Sequence, residues 1–413
     1  MQSFSKLSLV GGVFILSCAC SAQSSPASTA PTPAPAPPVQ TAAAPAAQAA
    51  PAPTVPPIVF SGAFDVYYGY NFNRPPGIDS TGPGLRNFDF KDQNISLGLA
   101  ELGVSRATSD TSRFGFTLKF AAGPTEDLLT SPGDDDNKIL LQGYGTYAVP
   151  FGKKSINVDI GKFVTHMGEE VIEPSGNWNF SRSLLFQYFI PYYHAGIRAA
   201  VPLSDTVTAT GYVYNGWNNV SFDSNKSKAY GLEVSFNPNA NNTFIFNGLT
   251  SSEPINLNYT DSSNNPAVFT QNEPKTTLEG IWSHTFNSNL TGMVDVNYDF
   301  GSNAALAGAM PPGVNESDWS AYGVAAYLKY AFKGGSYLAL RGEYVRDTDG
   351  FIFGLGNANA KEVTLTYSLQ NPLFKGAELR LEYRYDSCSV PGLFTGSSDT
   401  HQNTITLSHI FTF

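Results

Sequence analysis

The chain has few charged residues and no excess of basic ones. Aspartate, glutamate, lysine and arginine make up 14% of the 413 residues, against roughly 25% in a soluble protein. The formal net charge is −10, so the chain lacks the basic surface that nucleic-acid binding requires. The composition therefore argues against a nucleic-acid partner.

Long apolar runs and paired cysteines are also missing. After the N-terminal segment, no stretch approaches the roughly 20 apolar residues of a membrane-spanning helix. Beyond residue 57 the chain holds a single cysteine, Cys388. This excludes an intrachain disulfide framework and a cysteine-based metal site in that region. No motif calls for a cofactor or a metal ion.

The first 57 residues predict a targeting signal followed by a tether. Lys6 precedes the apolar run "LSLVGGVFIL" and then small residues, which predicts a signal peptide over 1–22 and export through the inner membrane. The sequence "ILSC" resembles a lipobox, so lipidation of Cys18 and ordinary cleavage after residue 22 both stay open. Residues 23–57 are rich in proline and alanine without a charged side chain. They predict an extended, disordered periplasmic tether that could also contact peptidoglycan.

From residue 58 to 413, apolar and polar residues alternate in many short segments. In "AELRLEYRYD" (377–386) apolar and charged residues alternate strictly. A buried sheet would not accept the charged face, whereas a water-filled barrel lumen would. About sixteen such segments predict an all-β fold, a transmembrane antiparallel outer-membrane β-barrel with short periplasmic turns and long extracellular loops. The predicted long loops are 72–92, 124–138, 165–191, 218–226, 251–273, 302–317, 348–359 and 387–399.

The last residues predict an assembly signal. "LSHIFTF" alternates apolar with polar residues and ends on Phe413. A terminal aromatic on an amphipathic last strand resembles the signal by which the barrel assembly machinery recognises its clients. We therefore expect Phe413 to serve in assembly into the bacterial outer membrane.

The predicted loop 165–191 carries most of the candidate site residues. Opposed acidic and basic groups across a pore constriction would select ions, and an external loop packed on the rim is the alternative. A catalytic or metal site is disfavoured because the histidine and glutamates lack a zinc-binding pattern such as H-E-x-x-H. The loop candidates for a pore constriction are His166, Glu169, Glu170, Glu173, Asn177 and Arg182.

Further candidates lie on the polar faces of predicted strands. Both signs of charge occur there, which indicates either a wet lumen or a salt-bridge lattice that holds the wall. The predicted lumen residues are His194, Arg198, Arg341, Glu343, Arg380, Glu382 and Arg384.

The central block of the chain resembles a known family. "GKFVTHMGEEVIEPSGNWNFSRSLLFQYFIPYYHAGIR" contains a G-K-F strand end, a G-x-E element, an N-W-x-x-S-R-S element and a P-x-x-H-x-G-x-R strand start. In this order they are similar to the β-barrel porin-2 (OmpL-like) family of bacterial outer-membrane porins. The resemblance covers about residues 59–413 and implies a porin-like channel without naming its substrate. The tether departs from the usual pattern of the family.

Together these observations predict a non-enzymatic porin through which small hydrophilic solutes or ions diffuse passively. A channel specific for an oligosaccharide or an anion, and a structural barrel that anchors the envelope, are the alternatives. We expect outer-membrane lipid and lipopolysaccharide as surroundings, and a homotrimer by analogy with other porins.

Overall fold

The computed structural model describes residues 55–74, 84–129, 139–220, 225–260, 266–302, 318–371, 374–394 and 398–413. The predicted signal peptide 1–22, Cys18 and the tether up to residue 54 lie outside these ranges. No helix within the described ranges has both the length and the apolar character needed to cross a membrane.

Within the described residues, sixteen strands form one closed antiparallel barrel, as the alternation predicted. Each strand pairs with its neighbours in sequence, and β1 pairs with β16 to close the wall. The strands are β1 (Val59–Asn71), β2 (Ile95–Arg106), β3 (Phe114–Ala122), β4 (Leu140–Phe151), β5 (Lys154–Val164), β6 (Tyr193–Pro202), β7 (Val207–Tyr214), β8 (Ala229–Asn239), β9 (Asn242–Thr260), β10 (Pro266–Thr285), β11 (Leu290–Gly301), β12 (Trp319–Ala331), β13 (Tyr337–Asp347), β14 (Ala358–Gln370), β15 (Ala377–Cys388) and β16 (His401–Thr412).

The alternation of side chains sets the two faces of the wall. On β15, Leu381 is 52% exposed on the outer face, whereas Arg384 is fully buried inside. Successive residues of a strand point to opposite faces, so the apolar residues meet the surrounding bilayer and the charged ones face the lumen.

The connections differ in length between the two ends of the barrel. Short turns such as 152–153 and 240–241 join strands at one end, here called the turn end. The longer connections lie at the other end, here called the loop end. There the expectation of a loop over 251–273 is wrong, because β9 and β10 stay paired up to Thr260 and Pro266. This segment is rich in asparagine, serine and proline, which are poor strand formers, but main-chain pairing continues regardless of them.

The connection between β5 and β6, residues 165–192, lies inside the barrel and is called the inner loop. It contains a 3-10 helix at Pro174–Gly176 and a short helix α2 at Leu184–Tyr188; helix α1 (Pro124–Leu129) precedes β4. Ser183 caps α2 by accepting a hydrogen bond from the Phe186 N–H at 3.0 Å. The apolar side chains of α2 join a buried cluster with lumen-facing residues of the wall.

Candidate functional site: the inner loop and the lumen wall

Carboxylates of the lumen wall hold the backbone of the inner loop. Three strands contribute one glutamate each, and every one of them accepts backbone N–H groups that the loop cannot pair internally. Glu382 accepts from Phe180 (2.6 Å) and Ser181 (3.0 Å), Glu343 from Leu184 (2.7 Å) and Leu185 (3.3 Å), and Glu279 from Gly168 (2.9 Å). Hydrogen bonds to charged groups of this kind are about twice as strong as neutral ones.

Arginines of the same wall bind the carbonyl groups of the loop. All three are at most 1% exposed. Arg341 donates to Ser181 O (2.7 Å) and Glu170 (2.6 Å), Arg384 to Arg182 O (2.5 Å), and Arg380 to Pro174 O (2.8 Å). The predicted wet interior is therefore wrong for β13 and β15, where the alternative of a salt-bridge lattice describes the structure. We call Arg341, Glu343, Arg380, Glu382 and Arg384 the anchored wall.

Arg182 does not face across an opening, contrary to the expectation of a charge in a constriction. It is 2% exposed, and its guanidinium donates to the carbonyls of Val171 (2.8 Å), Ile172 and Phe180. Burial of an arginine is tolerated where its five donors find acceptors. Arg182 thus fixes the fold of the inner loop itself.

Asn177 and Glu170 also serve the internal structure of the inner loop. The Asn177 side chain exchanges two 2.6 Å hydrogen bonds with the backbone of Val171. Glu170 accepts from the Ser183 N–H at 2.6 Å while it pairs with Arg341. Both residues are buried, so neither presents a free charge or dipole to a passing solute.

Glu173 ties the inner loop to β3, four strands from β15 around the barrel. It forms an ion pair at 2.5 Å with Lys119 of β3, which also lies 3.4 Å from Glu101. Although burial alone would raise the pKa of Glu173, the Lys119 ammonium holds it below its ordinary value. The inner loop is therefore attached to β3 and also to β10, seven strands away and nearly opposite in the barrel, so that it crosses the lumen.

His166 and His194 pack around Tyr214 at the root of the inner loop. The His166 Nδ1 accepts from the Tyr214 hydroxyl (3.0 Å), and its Nε2–H faces the Gly248 carbonyl at 3.3 Å. His194 stacks on the Tyr214 ring at 3.7 Å, and its Nε2 lies 3.1 Å from the Thr165 hydroxyl. Burial lowers the pKa of His166 to about 3, so this imidazole is neutral and has a structural role.

Arg198 pairs with Asp159 of the adjacent strand at 2.7 Å. Its guanidinium lies over the rings of Phe163 (4.6 Å) and Tyr144 (5.2 Å), an arrangement that stabilises a partly desolvated cation. In the described part of the chain, no three histidine, cysteine, aspartate or glutamate side chains are placed to hold a metal ion.

Glu169 differs from the other acids of the inner loop. It is partly buried, and no basic side chain in the described ranges forms an ion pair with it. Burial, together with the nearby charges of Glu279 and Glu170, raises the pKa of Glu169 to about 8. Glu170 and Glu173 each pair with a cationic side chain, whereas Glu169 has no such partner among the described residues.

Three residues of the site were not predicted from the sequence: the wall carboxylates Glu279 and Asp295, and Asn297, whose amide contacts both. Glu279 contacts Gly168, and Asn297 donates to Glu279 (3.1 Å) and to Asp295 (2.9 Å). The alternation in "TGMVDVNYDF" places Asp295 and Asn297 on the polar face of β11. The signal for a lumen position was present, but nothing in the sequence joined these residues to the loop.

A closed barrel with a polar lumen and a loop folded across it defines a membrane-spanning, channel-forming β-barrel. A family model described as Putative beta-barrel porin-2, OmpL-like matches residues 57–413. The chain belongs to this family and is an outer-membrane channel. No curated protein sequence matches it.

Solved outer-membrane proteins share the fold at low identity. OmpT of Vibrio cholerae in its trimer form has a TM-score of 0.56 at 11% identity, covering 87% of this chain and 100% of that one. OprB of Pseudomonas putida has 0.55 at 12%, covering 86% and 94%. An anion-selective porin from Comamonas acidovorans has 0.55 at 10%, covering 86% and 99%. At these identities the likeness extends to the fold alone.

Proposed function

We propose that small hydrophilic solutes or ions diffuse passively through this barrel, past a constriction that the inner loop forms. The observation that carries the proposal is the attachment of the loop on both sides of the lumen, to Glu279 of β10 on one side and to Lys119 of β3 on the other. A loop bound across the lumen narrows the space through which a solute must pass.

The space that remains lies along β8 to β11. Several lumen-facing residues of these strands are only half-buried, unlike the residues of the anchored wall, and five of them define this surface. They are Glu233, Ser235, Ile245, Ser283 and Met293, here called the open wall. Their partial exposure supports a solute route between this wall and the inner loop.

The same geometry supports a function without catalysis. His166 is held neutral by burial, and Tyr214 and Gly248 occupy its two ring nitrogens. His194 is engaged in the same way by Thr165 and a backbone carbonyl. Neither imidazole has a free nitrogen for acid–base work.

Several finer parts of the function belong to the proposal as well. Residues 1–22 direct export through the inner membrane, with Cys18 as a possible lipidation site, and residues 23–57 tether the barrel on the periplasmic side, within reach of peptidoglycan. Phe413 serves recognition by the barrel assembly machinery, and its N–H and carbonyl pair with Gly62 of β1 at 3.0 and 3.1 Å. Lipid and lipopolysaccharide surround the wall, and a homotrimer follows the trimer form of the Vibrio cholerae OmpT.

Planar-bilayer recording of the purified full-length barrel tests the proposed function. We expect discrete conductance steps, and larger steps when a short glycine–serine linker replaces residues 169–182. A protein that inserts into the bilayer but shows no conductance would contradict the proposal and favour the alternative of a structural barrel. Equal steps for the two proteins would remove the inner loop from the constriction.

A further inference from the structure

We propose that the channel passes cations in preference to anions, and that Glu169, with the buried carboxylates Glu279 and Asp295 next to it, sets this preference where the inner loop meets the open wall. The inference rests on the proposed function and specifies the class of solute that it serves.

The first step is that most positive charges of the lumen are paired with carboxylates, with Arg182 and Lys329 as the exceptions. Each arginine near the inner loop has a carboxylate or carbonyl partner, and two lysines form ion pairs, while Lys329 lies over the Trp178 ring at 4.6 Å. The pairs are Arg86–Asp89, Arg198–Asp159, Arg341–Glu362, Arg380–Glu378, Arg384–Asp386, Lys119–Glu173 and Lys275–Asp299, and Arg182 is bound to loop carbonyls.

The second step is that two carboxylates of β10 and β11, Glu279 and Asp295, lack such cations, unlike Asp299 of β11. Glu279 is bound by the Gly168 N–H and by the amides of Asn247 (2.6 Å) and Asn297 (3.1 Å). Asp295 shares the Asn297 amide at 2.9 Å. All these donors are neutral, and no ion pair to either carboxylate occurs among the described residues, so neither has a cation that would neutralise it when it is ionised.

The third step is an independent observation on the two amides. The side-chain carbonyl oxygens of Asn247 and Asn297 are buried without a hydrogen-bond partner, and the residues are 5% and 0% exposed. A buried polar atom without a partner is costly, and such atoms mark places where an ion or water binds. These amides contact Glu279, so the unused carbonyl oxygens add negative potential to the same place.

The fourth step is access from solution. Glu169 is partly exposed beside these carboxylates, and Glu233 and Ser235 of the open wall are half-buried. Narrow, water-filled clefts lined by one sign of charge concentrate the opposite ion, and rings of carboxylates select cations in channels. Glu169 therefore lies where a permeating cation would gain most, and Glu279 and Asp295, which are 5% and 2% exposed, are buried next to it.

Reversal potentials across a KCl gradient test the inference. At about pH 9, where Glu169 with its pKa of about 8 is ionised, we expect the full-length protein to show a reversal potential of the sign that K⁺ permeation produces. Glu169→Gln should reduce this potential toward zero, and Glu169→Lys should reverse it. The preference should weaken from about 0.1 M to about 1 M salt, because the screening length falls from about 10 to about 3 Å. Glu169 lacks an ion pair, so its substitution leaves the attachment of the loop intact.

Asp110→Asn is the matched control. It removes the same formal charge from an exposed turn, where the Asp110 side chain is 96% exposed, and should leave the reversal potential unchanged. A conducting protein without cation preference, or with an unchanged potential in Glu169→Gln, overturns this inference while the proposed function stands. A protein that never conducts overturns the proposed function and this inference together.

Discussion

The anchored wall and the open wall are built from the same alternation, yet they use their polar residues differently. Arg341, Glu382 and their neighbours are buried in contacts with the inner loop. Glu233 and Ser235 stay half-buried and face the remaining space. A charged residue that faces the lumen therefore need not affect selectivity, because its charge acts on a solute only where the inner loop does not bury it.

The largest effect is expected from a substitution in the anchored wall. Arg341→Met removes the cation from Glu170 and Glu362, so that Glu170 is buried without an ion pair and Glu362 keeps only Arg384 at 3.9 Å. We expect a loss of about 3–5 kcal/mol in the free energy of unfolding, measured by urea titration in detergent, and larger conductance steps as the loop detaches. Arg113→Met, at a partly exposed pair with Asp110, is the control and should cost less than about 1 kcal/mol. Equal losses in the two variants would argue against a structural role of the anchored wall.

A smaller effect compares one carboxylate from each wall. Glu382→Ala leaves the N–H groups of Phe180 and Ser181 without their acceptor, which costs about 1–3 kcal/mol. Glu233→Ala removes only an acceptor of the Tyr212 hydroxyl and should cost less, while it lowers the cation preference. Unfolding titrations and reversal potentials on both variants separate the roles. The reverse order of stabilities would invalidate the distinction between the walls.

The pH dependence of the inner loop gives a moderate effect. Burial raises the pKa of Glu169 to about 8, so the stability associated with its protonated form is complete below its ordinary pKa and is lost as the pH rises through about 8. Glu279, Glu170 and Asp295 face it as further carboxylates, and His166 beside it is neutral. We expect the cation preference to increase between pH 7 and 9, and Glu169→Gln to abolish this increase. A flat pH profile in the unmodified protein would be the opposing result.

The smallest expected effect lies outside both walls. Asp205 is exposed in the turn after β6 and pairs with Lys154 at 2.7 Å. Asp205→Asn should change neither the stability nor the reversal potential measurably, since exposed pairs contribute little. A clear shift in selectivity would show that charges at the turn end also act on permeating ions, and that selectivity is not confined to the open wall.

The strands of the barrel wall could be predicted from the sequence, whereas the contacts of the candidate site could not. Strict alternation, as in 377–386, predicts strands because each side chain must suit either lipid or lumen. The partners of the inner loop could not be predicted, because Arg341 and Glu170 are 171 positions apart and no local pattern links them. Arg182 looked like a constriction charge for the same reason, since its acceptors are backbone carbonyls that every sequence contains.

The attachment of the inner loop has a consequence for the order in which the chain folds. Residues 165–192 are synthesised before every strand that holds them on the anchored side, and Glu382 lies on β15, the second-last strand. The wall itself closes only when β16 meets β1, a pairing between opposite ends of the chain that carries a high loop-closure cost. The inner loop therefore reaches its final conformation late, and until then the buried charges of β13 and β15 have only water and each other as partners.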